Sequence, residues 1–182
     1  MKKIFFFFFF ILLNSNALAS IKENIIQNLK TIENISFKFE QNINGKIENG
    51  NCIIQYPKKI FCEYDTNNKK ILISNGQSLV IKTSSSYYLY PLDKTPLNLI
   101  LDKFFLLDKI QELKERIIEK KYVNFNFVEN DNEINLFFDK KNFDLIGWQT
   151  QDIYSNLSIT YLSSISKNKK INKNLFVIPT RN

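Results

Sequence analysis

The 182-residue chain contains no histidine. That absence removes Ser-His-Asp and Cys-His nucleophilic sites and every metal centre built on imidazole. Glycine and proline are scarce at four each, and no glycine-rich phosphate loop is present. No apolar run is long enough to cross a bilayer. The longest, Ile4 to Leu13, spans only about 15 Å as a helix, half a hydrocarbon core. The carboxylates Glu112, Glu115 and Glu119 recur at helical spacing, a pattern of a solvated face rather than of the paired acids of an exported hydrolase. An enzyme is therefore not expected, and neither a metal nor another cofactor.

Aromatics, by contrast, are abundant, with 17 Phe and 8 Tyr. Together with the few Gly and Pro they favour β structure in one domain. The start, "MKKIFFFFFFILLNSNALAS", has a charged pair, an apolar stretch and the small-x-small pattern Ala17-Leu18-Ala19. It reads as a signal peptide over residues 1–19, with one mature domain over 20–182 exported to the periplasm. No cysteine follows the cleavage point, so no lipid anchor is expected.

Without Lys2 and Lys3 the balance is 23 basic to 18 acidic residues. The lysines are dispersed apart from "SKNKKINKN" at 166–174. That run reads as a solvated loop, and no nucleic-acid module accompanies it. Cys52 and Cys62 flank the "QYPKKIF" turn at a separation that suits opposite positions on a hairpin. Either a disulfide or two separate small apolar core residues would satisfy that placement.

Ile21, Ile25, Leu29 and Ile32 form a helical stripe in residues 21–33. Ile35, Phe37 and Phe39 then alternate with polar residues as a half-buried strand does. Further strand signals recur at short intervals, with Asn75-Gly76 as a hairpin turn and "LFVIP" at 175–179 as the last strand. No repeating crossover helix separates them, so the sheet is expected to be antiparallel, with about ten strands and two short helices in its concave side. The second helix, 96–107, has Thr95 as N-cap and Pro96 as first residue. Its stripe of Leu97, Ile100, Leu101, Phe104 and Phe105 should face the sheet, while Leu99 and Leu106 fall on the far side. Those two either lie under a loop or belong to a lid that touches an apolar ligand.

The segments "FKFEQ" at 37–41, Gly50, "YPKKIFCEY" at 56–64, "ILISNGQSL" at 71–79 and "YPLDKTPLNLIL" at 90–101 resemble, in that order, the periplasmic outer-membrane lipoprotein carrier family, LolA. "INLFFD" at 134–139 and "LFVIP" fit as well. The resemblance implies an incomplete antiparallel β-barrel with short helices as a lid over an apolar cavity. It implies a carrier that takes acylated lipoproteins from an inner-membrane ABC transporter to the outer membrane, where a receptor lipoprotein can accept them, and that acts as a monomer. The receptor of the same route shares the half-barrel but carries a lipid, which this chain lacks a cysteine to hold.

Carried over residue by residue, the family's cavity and lid positions fall on Leu29, Ile32, Ile35, Phe39, Ile60, Cys62, Leu97 and Ile100. Ile60 and Cys62 stand where bulkier aromatics are usual in the family, so the resemblance implies either a roomier pocket or a disulfide on its wall. Tyr56 replaces the family's arginine before the proline, keeping a hydroxyl but losing the charge and the fork of donors. A related half-barrel that binds other lipids or a protein partner is the alternative reading.

Overall fold

The computed structural model describes residues 19–151 and 155–181. The expected signal peptide lies outside the described residues except for Ala19, and the "DIYSN" turn lies partly outside them. The first helix, α1 (Ile21–Thr31), starts at Ser20, whose hydroxyl accepts from the Glu23 N–H at 3.1 Å. Its apolar stripe buries Ile25, Ile26 and Leu29.

Ten residues of alternating burial follow in β1 (Asn34–Ile43), which pairs with β2 (Lys46–Gln55). The meander continues through β3 (Lys59–Tyr64), β4 (Ile71–Asn75), β5 (Ser78–Lys82) and β6 (Tyr87–Pro91). After the helices come β7 (Arg116–Ile118), β8 (Tyr122–Glu129), β9 (Asn132–Asp139), β10 (Leu145–Gln151) and β11 (Leu157–Lys167). The order is β6-β5-β4-β3-β2-β1-β11-β10-β9-β8-β7, all antiparallel, so one long-range pairing, β1 with β11, joins two meanders into a single sheet. β6 and β7 remain as edges, and the barrel is not closed.

Among the described residues the sheet has eleven strands, against about ten expected. "RIIEKKYVNFNFV" holds two of them, β7 and β8, because Glu119 and Lys120 both adopt left-handed backbone, at φ 50° and 58°, and reverse the chain. Neither residue advertises that conformation. The expected last strand, "LFVIP", is instead a 3₁₀ turn at Lys173–Phe176 followed by extended tail. It buries Phe176 and contacts β3 and β4, while Tyr87 Oη donates to the Pro179 carbonyl at 3.1 Å. The tail covers apolar residues without joining the ladder.

The expected helix 96–107 is two helices, α2 (Leu97–Leu101) and α3 (Lys103–Glu112), broken at Asp102 with ψ 95°. Asp102 caps α3 by accepting from the Phe105 N–H at 3.2 Å. Thr95 is not the N-cap: its hydroxyl donates back to the Leu92 carbonyl at 2.8 Å, and Pro96 precedes the first helical residue. The break resets the helical phase. Leu106 is therefore buried in the core, whereas Phe104, assigned to the buried stripe, is 64% exposed. Leu99, in α2 ahead of the break, is buried too, together with Ile100 and Leu101. The apolar surplus of Leu99 and Leu106 is thus taken up by the protein itself and needs no ligand.

The helices fill the inner face of the sheet and share one core with the inward residues of the strands. Two lysines tie α1 to α3 reciprocally at their free carbonyl ends. Lys22 Nζ donates to the Leu113 carbonyl at 2.9 Å, and Lys103 Nζ to the Ile32 carbonyl at 2.9 Å. Among the described residues no helix is long and apolar enough to cross a membrane.

Candidate functional site

The core does not fill the whole inner face. Between β1–β6, the start of α2 and β10–β11 lies a cavity of about 370 Å³, within the range of small-molecule sites. Strand alternation explains its lining: every second residue points inward, so Phe37, Phe39, Gln41 and Ile43 of β1 share one wall. Ile60, Cys62 and Tyr64 of β3, Leu72 of β4, Leu79 and Ile81 of β5, and Tyr88 and Tyr90 of β6 continue it. Pro96 and Leu97 bring the head of α2 to the rim, and Trp148 comes from β10.

Gly50 is required by close approach. A Cβ there would collide with the Glu63 carbonyl and lie 2.8 Å from the Phe39 ring. With no side chain at Gly50, that ring packs against the Gly50 backbone and meets Tyr64 edge-on, centroids 4.9 Å apart. Cys52 and Cys62 are directly opposed across β2–β3 and joined as a disulfide, Cα atoms 4.1 Å apart, which lines the cavity.

Of the residues expected at the site, Phe39, Ile60, Cys62 and Leu97 line this cavity. Leu29, Ile32, Ile35 and Ile100 do not. They are buried in the core that the helices share with the sheet. Phe37, Leu72, Leu79, Tyr90 and Trp148 also line the cavity without any family position pointing to them, although Phe37 shares the parity of Phe39. The cavity also has a polar end, formed by Gln41, Lys70, Thr150, Ser158 and Thr160, that no local sequence pattern announces.

Lys70 closes that end as half of an ion pair. Its ammonium lies 4.0 Å from the centre of the Tyr64 ring and pairs with Glu48, which Lys46 also contacts at 2.9 Å. Burial pushes the Glu48 carboxyl up, but hydrogen bonds and charge from Lys70 and Lys46 together outweigh it and hold the group below its ordinary value. Burial, and then the Glu48 charge, raise the Tyr64 phenol well above its usual range, so it stays neutral.

Tyr56 is buried, and its hydroxyl has no hydrogen-bond partner among the described residues. Desolvation alone raises its phenol far above the ordinary tyrosine value. The hydroxyl therefore makes no hydrogen bond to the helices, although Lys103 Nζ of α3 stands over the ring, 6.0 Å from its centre. The next residues of the turn do bond to them: the Lys58 N–H donates to the Leu101 carbonyl at 2.8 Å, and Lys58 Nζ pairs with Asp102 at 3.1 Å. The β2–β3 turn thus clasps the α2–α3 break. Asp102→Ala removes a helix cap and that half-exposed ion pair, and should cost about 1–2 kcal/mol of stability. A urea midpoint equal to that of the unmodified chain would show that the clasp contributes nothing.

No curated protein sequence matches the chain. Solved structures do. A LolA superfamily protein from Nitrosomonas europaea is 8% identical, over 88% of this chain and 99% of that one, with a TM-score of 0.46. MucB is 8% identical over 87% of this chain, with a TM-score of 0.50; this chain spans 62% of its length. The Mycobacterium tuberculosis lipoprotein LppX is 11% identical, over 84% and 97%, at a TM-score of 0.43. At such identities the likeness to MucB is one of fold, and the other two carry no further weight. The sequence profile of the outer membrane lipoprotein carrier protein LolA matches residues 30–179, from the end of α1 through the C-terminal tail. By that match over most of its length, the chain belongs to the LolA family of outer membrane lipoprotein carrier proteins.

Proposed function

We propose that the protein is a periplasmic carrier, not an enzyme, whose cavity shields the acyl chains of lipoproteins between an inner-membrane ABC transporter and the outer membrane. The observation that carries this reading is the apolar cavity of about 370 Å³ beneath the head of α2, in a chain of this family. Shielding is favourable by roughly 0.8 kcal/mol per methylene removed from water, so even part of an acyl chain gives ample gross affinity. Release is the harder step, and the short α2, joined to the sheet through the Lys58 clasp, is the element that can move to permit it.

Residues 1–19 act in this reading as a cleaved signal peptide and 20–182 as the single mature domain, a monomer that hands its cargo to the outer membrane or to a receptor lipoprotein there. Phe39, Ile60, Cys62 and Leu97 contact the acyl chain. Leu29, Ile32, Ile35 and Ile100 support the wall from behind.

Depletion of the protein in its native host should shift acylated lipoproteins from the outer-membrane to the inner-membrane fraction. An unchanged distribution, with the protein gone, would contradict ferrying. Capture of a soluble protein in place of lipid would favour a half-barrel serving a protein partner.

A further inference from the structure

The polar end of the cavity is built, not incidental. Thr150, Ser158 and Thr160 are 7%, 3% and 4% exposed, and all three line it. Strand register brings them together: Thr150 opposes Ser158 across β10–β11, and Gln41 opposes Thr160 across β1–β11. The Gln41 amide fixes their polarity. Its Nε2 donates to Ser158 Oγ at 3.0 Å and to Thr160 Oγ1 at 3.4 Å, while its Oε1 accepts from Tyr64 Oη at 3.4 Å. Both hydroxyl oxygens serve as acceptors, so both hydroxyl protons are left to donate. The Thr150 hydroxyl is buried with no partner among the described residues.

Three hydroxyl donors therefore face a cavity whose remaining lining is mainly hydrocarbon and rings, apart from Gln41, Lys70, Thr83, Thr95 and Gln151. A buried hydroxyl without an acceptor is costly, and a methylene chain offers none. The neighbouring cation, Lys70, is already paired with Glu48. The surplus positive charge of that cluster sits on Lys46, which is 76% exposed, solvent-screened and no part of the cavity lining, so it offsets a buried anion only weakly. The complementary group is neutral and acceptor-only, and it sits at one end of an apolar chain.

We propose that Thr150, Ser158 and Thr160 bind the ester or amide carbonyl oxygen that joins an acyl chain to its headgroup, so that a bound lipid lies with this carbonyl against β10–β11 and its chain toward Ile60. The assignment rests on the acyl-cavity reading and adds an orientation and a chemical class to it: O-acyl and N-acyl lipids are preferred over free fatty acids and plain hydrocarbon.

The test uses the mature chain loaded with the apolar dye N-phenyl-1-naphthylamine, displaced in turn by methyl laurate, N-methyl lauramide, laurate and dodecane. Thr150→Val/Thr160→Val keeps shape and removes two donors. It should weaken the ester and amide about tenfold and leave dye and dodecane within about twofold, a difference no general loosening of the fold reproduces. Thr150→Ser/Thr160→Ser should bind as the unmodified chain does. A loss confined to the ester assigns O-acyl lipids, and one confined to the amide assigns N-acyl lipids; either upholds the carbonyl site. Unchanged ester and amide affinity in the valine variant, equal weakening of dodecane, or laurate binding more tightly than its methyl ester in the unmodified chain would overturn it. If the unmodified chain takes up neither dye nor dodecane, the acyl-cavity reading itself fails.

Discussion

Ile60→Glu should lower affinity for an apolar probe by at least about 30-fold at neutral pH while circular dichroism stays near native. Ile60 is 2% exposed and lines the cavity from β3, paired between Ile54 and Ser74. A carboxylate there must keep water in the cavity or take a proton, and burying it unpaired costs several kcal/mol. A penalty of about 2 kcal/mol already accounts for 30-fold. Burial raises the pKa of the introduced acid, so its charge, and with it the defect, is present at high pH. Probe binding should return in part as pH falls through that raised value. Lys38 lies on the opposite, exposed face of β1, and Lys38→Glu should bind probe as the unmodified chain does. If Ile60→Glu behaves like that control, Ile60 does not face the ligand.

Reducing the Cys52–Cys62 disulfide should cost about 2–3 kcal/mol, from the loop entropy it removes across ten residues of separation. For a domain of this size that lowers the thermal midpoint by about 5–10 °C. Melting with and without reductant measures the difference. Thiol titration under denaturing conditions should find no free thiol before reduction and two after it. Two titratable thiols in protein taken from the cell envelope without reductant would contradict the bond. Because both sulfurs line the cavity, Cys52→Ala/Cys62→Ala should also widen it and weaken the hold on a single chain.

Much of the fold was legible because strand alternation is a local signal. Phe37 and Phe39, the opposed cysteines around the "YPKK" turn and the Asn75-Gly76 hairpin all declare themselves within a few residues. The helix break does not. "TPLNLILDKFFLL" keeps enough leucines to suit several helical phases, and only the Asp102 cap, three residues ahead of Phe105, marks where the phase resets. That single reset turned Phe104 outward and Leu106 into the core. The turn at Glu119 and Lys120 was hidden for another reason: its left-handed residues are neither Gly nor Asn.

At the site, the resemblance named Phe39, Ile60, Cys62 and Leu97, all of which line the cavity. Leu29, Ile32, Ile35 and Ile100 have the same apolar character, and character alone cannot separate a core residue from a wall residue. The hydroxyl wall could not be read locally at all. It depends on the pairing of β1 with β11, which places Gln41 beside Thr160 from the far end of the chain. Ser158 and Thr160 alone look like ordinary strand residues.

The central claim, that the cavity is an acyl-chain site, is tested most directly by mass spectrometry of lipid extracted from mature protein purified from the native envelope. The account predicts acyl chains recovered with the unmodified protein and with Lys38→Glu, joined by ester or amide, and none with Ile60→Glu. Unmodified protein that yields no lipid, or Ile60→Glu protein that yields as much, would contradict it.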